Sequence, residues 1–151
     1  MKKILPILII ALTISLTGCL GAIKKQGKIE DQMKNLVINS SASKVYTAAE
    51  KYMNSMFIKI KPTGKNTGAS SWSINDVTLG SNKYKEKVRF TVRVASKGNN
   101  KSKLNISRER STNMMGDFSK PVAGRYLTYE YNVLKKMNPA RAAQIDKNAS
   151  N

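Results

Sequence analysis

The sequence predicts an α+β fold of two layers, an antiparallel sheet of about four to five strands with two helices packed on one face. The first observation behind it is a pair of segments, 87–94 and 103–109, in which apolar and polar side chains alternate with the period of a half-buried strand. A turn-forming stretch at 96–100 joins them into a hairpin, which makes the sheet antiparallel. The second observation is that apolar residues recur at helical spacing on each side of this strand-rich region.

The first helix is predicted over residues 40–56, after a short strand at 35–39. Ser41 or Ser43 can cap it, because a serine hydroxyl accepts a hydrogen bond from an unpaired amide of the first turn. One apolar stripe of this segment has the spacing of a helix that packs on a core. It consists of Val45, Ala49, Tyr52 and Met56.

Two further strands are predicted between this helix and the hairpin. A short alternating segment at 57–61 is followed by proline- and glycine-containing turn chemistry at 62–68, and then by a longer strand at 70–79. The alternation of the longer strand slips near Asn75 and Asp76, which predicts a β-bulge at that point.

The second helix is predicted over residues 122–137. Its apolar stripe consists of Val122, Tyr126, Tyr129, Val133 and Met137. Lys135 and Lys136 suit its last turn, because cations interact favourably with the partial negative charge of the terminal carbonyls. Pro139 ends it, because proline cannot continue the hydrogen bonding of a helix. The residues that follow are predicted to form a polar tail.

The N-terminus has the organisation of an export signal. Lys2 and Lys3 precede an apolar run at 4–16, which is shorter than the roughly 20 residues of a membrane-spanning helix. The run ends in LTGC, residues 16–19, which contains the only cysteine of the chain. This tetrapeptide resembles the lipobox of bacterial lipoproteins, in which an aliphatic residue and two small residues precede cysteine. The alternatives are an ordinary secretory signal with an incidental cysteine and a retained membrane helix.

The lipobox resemblance implies cleavage after Gly18 by signal peptidase II, a thioether-linked diacylglycerol on Cys19 and an amide-linked acyl chain such as palmitate. Two or three chains anchor a protein stably, since each buried methylene contributes about 0.8 kcal/mol. By the same resemblance, Leu20 stands where an aspartate would retain the protein at the inner membrane, and so favours the periplasmic face of the outer membrane. The expected organisation is a signal peptide at 1–18, a lipidated tether at 19–34, an α+β domain at 35–138 and a polar tail at 139–151.

A second resemblance concerns residues 35–138. It rests on the order of a helix, four strands and a closing helix, carried by the segments SASKVYTAAEKYMNSM, FIKI, GASSWSI, VRFTVRV and LNISRE. This order resembles that of small envelope lipoprotein domains of the BamC type, and it implies a fold of that kind. It implies no function, because one fold serves many unrelated activities.

The composition removes the commonest catalytic and metal-binding groups. Histidine is absent, the single cysteine is assigned to lipid, and the nine acidic residues are scattered along the chain. No phosphate-binding loop or dinucleotide fingerprint occurs in the sequence. We therefore expect no enzymatic activity, no metal, no cofactor and no small-molecule substrate.

The chain is strongly basic. Its net charge is +18, and it stays at +16 once residues 1–18, with two lysines and no acid, are removed. Lys87, Arg89 and Arg93 should line the polar face of one strand, with Lys103 beside them on the next. Such a face attracts anionic headgroups or an acidic envelope protein. We do not expect nucleic acid as a partner, because export takes the domain out of the compartment that contains nucleic acid. The alternative is an ordinary solvated surface of a lysine-rich protein.

These observations favour a membrane-anchored envelope lipoprotein that acts as a non-enzymatic binding or assembly module. The alternative is an inhibitor, immunity or exclusion lipoprotein, whose basic sheet face blocks an acidic partner. A hydrolase that works without histidine is a third hypothesis, and no residue pattern in the chain supports it.

Overall fold

A computed structural model describes residues 21–113 and 116–150. In these ranges the chain forms four helices and six strands. The helices are α1 (21–34), α2 (Ala42–Ser55), α3 (Leu127–Met137) and α4 (Pro139–Ser150). The strands are β1 (Ile60–Gly64), β2 (Thr67–Ser70), β3 (Ser73–Leu79), β4 (Asn82–Ser96), β5 (Ser102–Thr112) and β6 (Val122–Arg125). The proposed processing residues Gly18 and Cys19 lie outside the described residues.

The six strands form one antiparallel sheet. Its order is β1-β2-β4-β5-β6, and β3 pairs with the same flank of β4 as β2, further along that strand. Helices α2 and α3 pack on one face of the sheet, which confirms the predicted α+β class and the antiparallel pairing. The described residues contain six strands where about four to five were predicted, and four helices where two were predicted.

The predicted hairpin forms the centre of the sheet. β4 pairs along the whole of β5, with Val92 opposite Ile106 and Val94 opposite Leu104. These four side chains are buried in the core cluster that also contains the apolar faces of α2 and α3. Burying an aliphatic side chain contributes about 1.5–3 kcal/mol, so these four residues contribute substantially to the stability of the fold.

Helix α2 begins where the serine cap predicts. The Ser41 hydroxyl accepts a hydrogen bond from the Lys44 amide at 3.5 Å. The buried residues of α2 are Ala42, Val45, Ala49, Tyr52 and Met53. Met53 thus occupies the core position that the stripe assigned to Met56, which is exposed. Before the helix, the strand predicted at 35–39 is reduced to a single bridge between Ile38 and Ser102.

The strand predicted at 70–79 begins only at Ser73, as β3. The segment predicted as a turn at 62–68 is wrong in part, because β1 runs to Gly64 and β2 begins at Thr67, and a break separates β2 from β3. β2 pairs Ala69 with Thr91, whereas β3 resumes with Ser73 opposite Val88. The chain between these pairs holds one residue more than the facing stretch of β4. The break is therefore a one-residue slip in register, which is the effect that a β-bulge has on a strand.

The predicted bulge position was wrong, although a slip exists. Asn75 and Asp76 pair regularly with β4, and the break lies before them, where the Phe90 amide donates to the Ser70 hydroxyl at 3.0 Å. The apolar residues of β3 do not all lie on one face of the strand, because neither face is covered by another element. Without a buried face, the sequence is under no constraint to keep apolar side chains on one side.

The segment predicted to begin the second helix is a strand. Residues 122–125 pair with β5 as β6, and α3 begins only at Leu127. The Tyr126 amide continues the hydrogen bonding of β6 to β5, because it donates to the Ile106 carbonyl at 2.7 Å. Gly124 has a low helix propensity, and pairing with the free flank of β5 satisfies the backbone of this segment instead.

Glu130 is a charged residue on the buried face of α3 and is 1% exposed. Its carboxylate accepts from Arg125 Nε at 2.8 Å, from Arg125 Nη2 at 2.6 Å and from the Ile106 amide at 3.0 Å. Arg125 Nη1 also donates to the Lys34 carbonyl at the end of α1, at 2.8 Å. A buried carboxylate is tolerated only with such partners, so this cluster ties α1, α3, β5 and β6 together.

The segments predicted as a tether and as a polar tail form helices that pack on the domain. The apolar residues that they add to the core are Ile29 and Met33 from α1, and Ala142, Ile145 and Ala149 from α4. The two helices also touch each other, since Gln32 Nε2 donates to the Ile145 carbonyl at 3.3 Å. Each buries only a narrow stripe on an otherwise polar helix, which gives a weak periodic signal in the sequence.

Candidate functional site

The helix layer covers only part of the sheet. α2 and α3 lie over residues 88–94 of β4, where the helix-facing side chains are largely buried; we call this part the covered half. The rest, built from β3 and residues 82–87 of β4, extends beyond the helices, and we call it the projecting hairpin. Its apolar side chains stay in solvent, with Ile74 60% exposed and Leu79 66% exposed.

A cleft of about 650 Å³ opens where the helix layer stops and the projecting hairpin begins. Its apolar lining consists of Phe57, Ile58, Trp72, Val88, Phe90 and Tyr126. Its cationic lining consists of Lys59, Lys61 and Arg108. Its neutral polar lining consists of Ser70, Ser71, Ser73 and Asn75. None of these lining residues is acidic, so the cleft suits a partner with both apolar and anionic groups.

The floor of the cleft continues into an aromatic cluster. Phe90 stacks on Tyr129 with 5.7 Å between ring centroids and meets Tyr126 edge to face at 5.8 Å. Tyr129 in turn makes edge-to-face contacts with Tyr126 at 4.9 Å and with Tyr52 at 5.7 Å. Burial raises the pKa of Tyr129, and the neighbouring Tyr52 and Tyr126 add to this shift. The floor is therefore an uncharged, well-packed aromatic surface.

Phe57 stands at the rim of the cleft and is 99% exposed. It follows the C-cap of α2 and has a φ of 60°. Its amide donates to the Asn54 carbonyl at 3.0 Å, and the next amide, of Ile58, donates to the Met53 carbonyl at 3.0 Å. These two bonds make a Schellman motif, whose left-handed position is usually glycine. A side chain there costs about 1–2 kcal/mol, so Phe57 is an exposed aromatic residue at a position where glycine would suit the fold better.

Positive charge surrounds the cleft. Lys59 and Lys61 are exposed at its rim. Arg108 Nη2 lies 3.2 Å from the Glu86 carboxylate, and Arg110 Nη1 lies 3.8 Å from the same carboxylate. Two arginines thus share one acid, which leaves a net positive charge at this end of the sheet.

The four residues of the predicted anionic-partner face lie on the helix-free face of the sheet. They are Lys87, Arg89 and Arg93 on β4 and Lys103 on β5. Arg89 Nε donates to the Glu109 carboxylate at 2.7 Å, within this face. Arg93 is exposed and Lys103 is half-exposed. The face therefore divides into an inner pair that is engaged within the protein and an outer pair that remains in solvent.

Trp72 connects this face to the cleft. Its side chain lines the cleft, and Arg89 Cζ lies 4.6 Å from its ring centroid. Lys87 Nζ lies 5.3 Å from the same centroid and 4.6 Å from the centroid of Phe118. Such cation–π contacts contribute about 0.5–1 kcal/mol each at exposed sites. Lys87 and Arg89 thus help to position Trp72 at the break between β2 and β3.

None of the four residues predicted for the anionic-partner face, Lys87, Arg89, Arg93 and Lys103, lines the cleft. The alternation pattern assigns Phe57, Trp72 and Phe90 to strands, and the helical pattern assigns Tyr126 to the stripe of a helix. The sequence contains one signal of the site: Phe57 directly follows the predicted helix, at the position where a glycine commonly ends a helix. The cleft also depends on the break between β2 and β3, and the pattern misplaced that break.

Within residues 21–113 and 116–150, no three histidine, cysteine, aspartate or glutamate side chains are grouped as metal ligands. In the same part of the chain, no helix combines the length and the apolar character needed to cross a bilayer. No protein-family model, curated protein or solved structure matches the chain. The lipobox and BamC-type resemblances stay predictions.

Proposed function

We propose that the protein is an envelope lipoprotein, anchored through acyl chains on Cys19 at the periplasmic face of the outer membrane, with a non-enzymatic binding or assembly module as its domain. The cleft is the binding site in this proposal. Phe57 is the observation that carries it, because a strained and fully exposed aromatic residue has no part in the core. Strain of this kind concentrates at functional positions.

The composition of the cleft supports a protein partner with acidic groups. Aromatic residues and arginine supply most of the binding energy in protein interfaces, and the cleft offers Phe57, Trp72 and Arg108 within one concave surface. The rim lysines and the net charge of +16 that remains without residues 1–18 favour the approach of an anionic surface.

The alternative role, an inhibitor or exclusion lipoprotein, uses the helix-free face of the sheet. Arg93 is exposed there and Lys103 is partly exposed, which supports contact with an acidic partner through that face. The two roles differ in outcome, because an inhibited enzyme or toxin loses activity on binding whereas an assembly partner does not.

The anchor is tested in cells that produce the full-length protein. Cys19→Ala is expected to abolish the incorporation of labelled palmitate and to leave a larger precursor, because no other thiol can accept the lipid. Gly18→Ala is the matched control and should still be processed, since alanine keeps the small residue before the cysteine. Normal maturation of Cys19→Ala, measured by mass spectrometry, would overturn the lipoprotein proposal.

A further inference from the structure

The outer strands of the sheet differ in how they are protected against pairing with another chain. β1 carries Lys61 and Pro62, and its pairing shifts register between Pro62 and Gly64. Lysine, proline and irregular pairing are the devices that keep an edge strand from adding a further strand. β6, on the opposite side of the sheet, has only four residues. Both of these edges are therefore poor templates.

β3 has none of these protections. Its seven residues, SINDVTL, include no lysine, arginine or proline, and they pair without interruption from Ser73 to Leu79 with β4. Its other flank has no strand beside it among residues 21–113 and 116–150. Ile74 and Leu79 are exposed on it. A long, regular and partly apolar edge of this kind is a template for an added strand.

The free flank of β3 adjoins the cleft. Ser73 and Asn75 belong both to β3 and to the cleft lining. In the part of the chain that the structure describes, β1 pairs only with β2, so no strand lies beside β3 where the cleft is lined by Phe57 and Lys59. We infer that an extended, acidic segment of a protein partner adds to the sheet as a strand beside β3 and sets an apolar side chain into the cleft; this inference rests on the proposed binding function.

The cations near the outer flank of β3 outnumber its single acid, Asp76, and so favour an acidic segment. On the helix-free face, the neighbours of Thr78, Asp76 and Ile74 across the pairing with β4 are Lys83, Lys85 and Lys87. An added strand would lie about 4.8 Å beyond β3. Its side chains on that face would stand roughly 10 Å from the row of lysines, just beyond the screening length of about 8 Å at physiological salt, so this row attracts weakly. Lys59 and Lys61 line the cleft together with Ser73 and Asn75 of β3, and they supply the closer positive charge.

A second copy of the chain is a poor occupant. Two chains that each keep a net charge of +16 after loss of residues 1–18 repel each other. The same net charge favours an acidic partner.

The inference is tested with the full-length protein in detergent micelles and peptides as long as β3. A peptide of alternating valine and glutamate is expected to slow amide hydrogen exchange in β3 and to bind about tenfold more tightly than its valine–lysine counterpart. In two further peptides, every second amide carries an N-methyl group. The first peptide has these groups along one edge of the strand, and the second has them along the opposite edge. One of these should lose binding and the other keep it, because only one edge of the peptide can pair with β3.

A variant pair locates the acidic peptide on the molecule. Lys59→Glu/Lys61→Glu should weaken its binding about tenfold, whereas Lys97→Glu/Lys101→Glu, exposed lysines around the β4–β5 turn, should leave it within about twofold. The inference is overturned if exchange in β3 is unchanged, if both N-methylated peptides bind alike, or if only vesicles of phosphatidylcholine and phosphatidylglycerol slow exchange there. None of these results bears on the labelling of Cys19, so the anchor proposal stands or falls separately.

Discussion

The covered half and the projecting hairpin share the β4 strand, yet they differ in burial. In the covered half, Val92 and Ile106 face one another under the helices and are fully buried. In the projecting hairpin the same β4 strand continues, but no helix covers it, and Ile74 and Leu79 remain in solvent. Strand pairing alone therefore does not make a core; the helix layer decides which part of the sheet stabilises the fold.

The covered half and the projecting hairpin should respond differently to substitution. The covered half holds the buried side chains and the buried ion cluster, so changes there act on the free energy of unfolding. The projecting hairpin and the cleft beside it hold the exposed aromatic residues, the free strand edge and the rim cations, so changes there should act on binding. Substitutions that separate the two effects test whether the division is real.

The largest effect on stability is expected at Glu130. Glu130→Gln removes the charge that Arg125 pairs with, at a site where the carboxylate is 1% exposed. Removing one partner of a buried ion pair leaves the other uncompensated, so we expect a loss of about 3 kcal/mol in the free energy of unfolding. Denaturant unfolding of the purified protein measures it.

Glu109→Gln is the matched control for that experiment. Glu109 pairs with Arg89 on the helix-free face, where the arginine side chain is 35% exposed. A partly solvated pair contributes less, so we expect a loss below about 1 kcal/mol. Equal losses from the two substitutions would contradict the idea that the helix-covered face of the sheet carries the stability.

A smaller effect is expected where α4 docks on α3. Burial, followed by the hydrogen bond to Asp146 at 2.6 Å, raises the pKa of Tyr131 to about 12. A group whose pKa is raised in the folded state stabilises the fold fully below its unfolded pKa, about 10 for tyrosine. This stabilisation is lost as the pH rises through the folded value.

Tyr131→Phe tests this contact. At neutral pH the variant should be less stable by about 1 kcal/mol, the usual value of one hydrogen bond. The difference from the unsubstituted protein should shrink between about pH 10 and pH 12 as the tyrosine loses its proton. Unfolding curves of both proteins across this range measure it, and a difference that stays constant to pH 12 would show that the tyrosine hydroxyl does not hold α4.

The central hairpin and α2 could be predicted from the sequence because each has one buried face. Burial forces the alternation of Val92 and Val94 with polar residues, and it forces the helical spacing of Val45 and Ala49. The Ser41 cap could be predicted because its hydrogen bond is local. In these elements, local chemistry and tertiary packing require the same pattern.

The remaining elements depend on contacts distant in sequence. β6 forms because β5 has a free flank, which no property of residues 122–125 reveals. α1 and α4 depend on a core that other elements build. The cleft depends on two boundaries, the end of α2 just before Phe57 and the break before Ser73, because these boundaries place Phe57 and Trp72 in its lining.

The most direct test of the central claim concerns Phe57, where the fold and the proposed function make opposite demands. Phe57→Gly relieves the left-handed strain at the end of α2 and removes an aromatic side chain that is 99% exposed. Phe57→Ala is the matched control, because it removes the ring and keeps the strain. Two quantities are measured for each variant. One is the free energy of unfolding of the purified protein. The other is the yield of the complex that a chemical crosslinker forms between this protein and its partner in intact cells, called the crosslinked complex below.

We predict that Phe57→Gly raises the free energy of unfolding by about 1 kcal/mol, the usual cost of a side chain in this conformation. Phe57→Ala should leave it nearly unchanged, and both variants should lose the crosslinked complex. A Phe57→Gly protein that is less stable, or that forms the complex as well as the unsubstituted protein does, would contradict the claim that this residue is kept for binding.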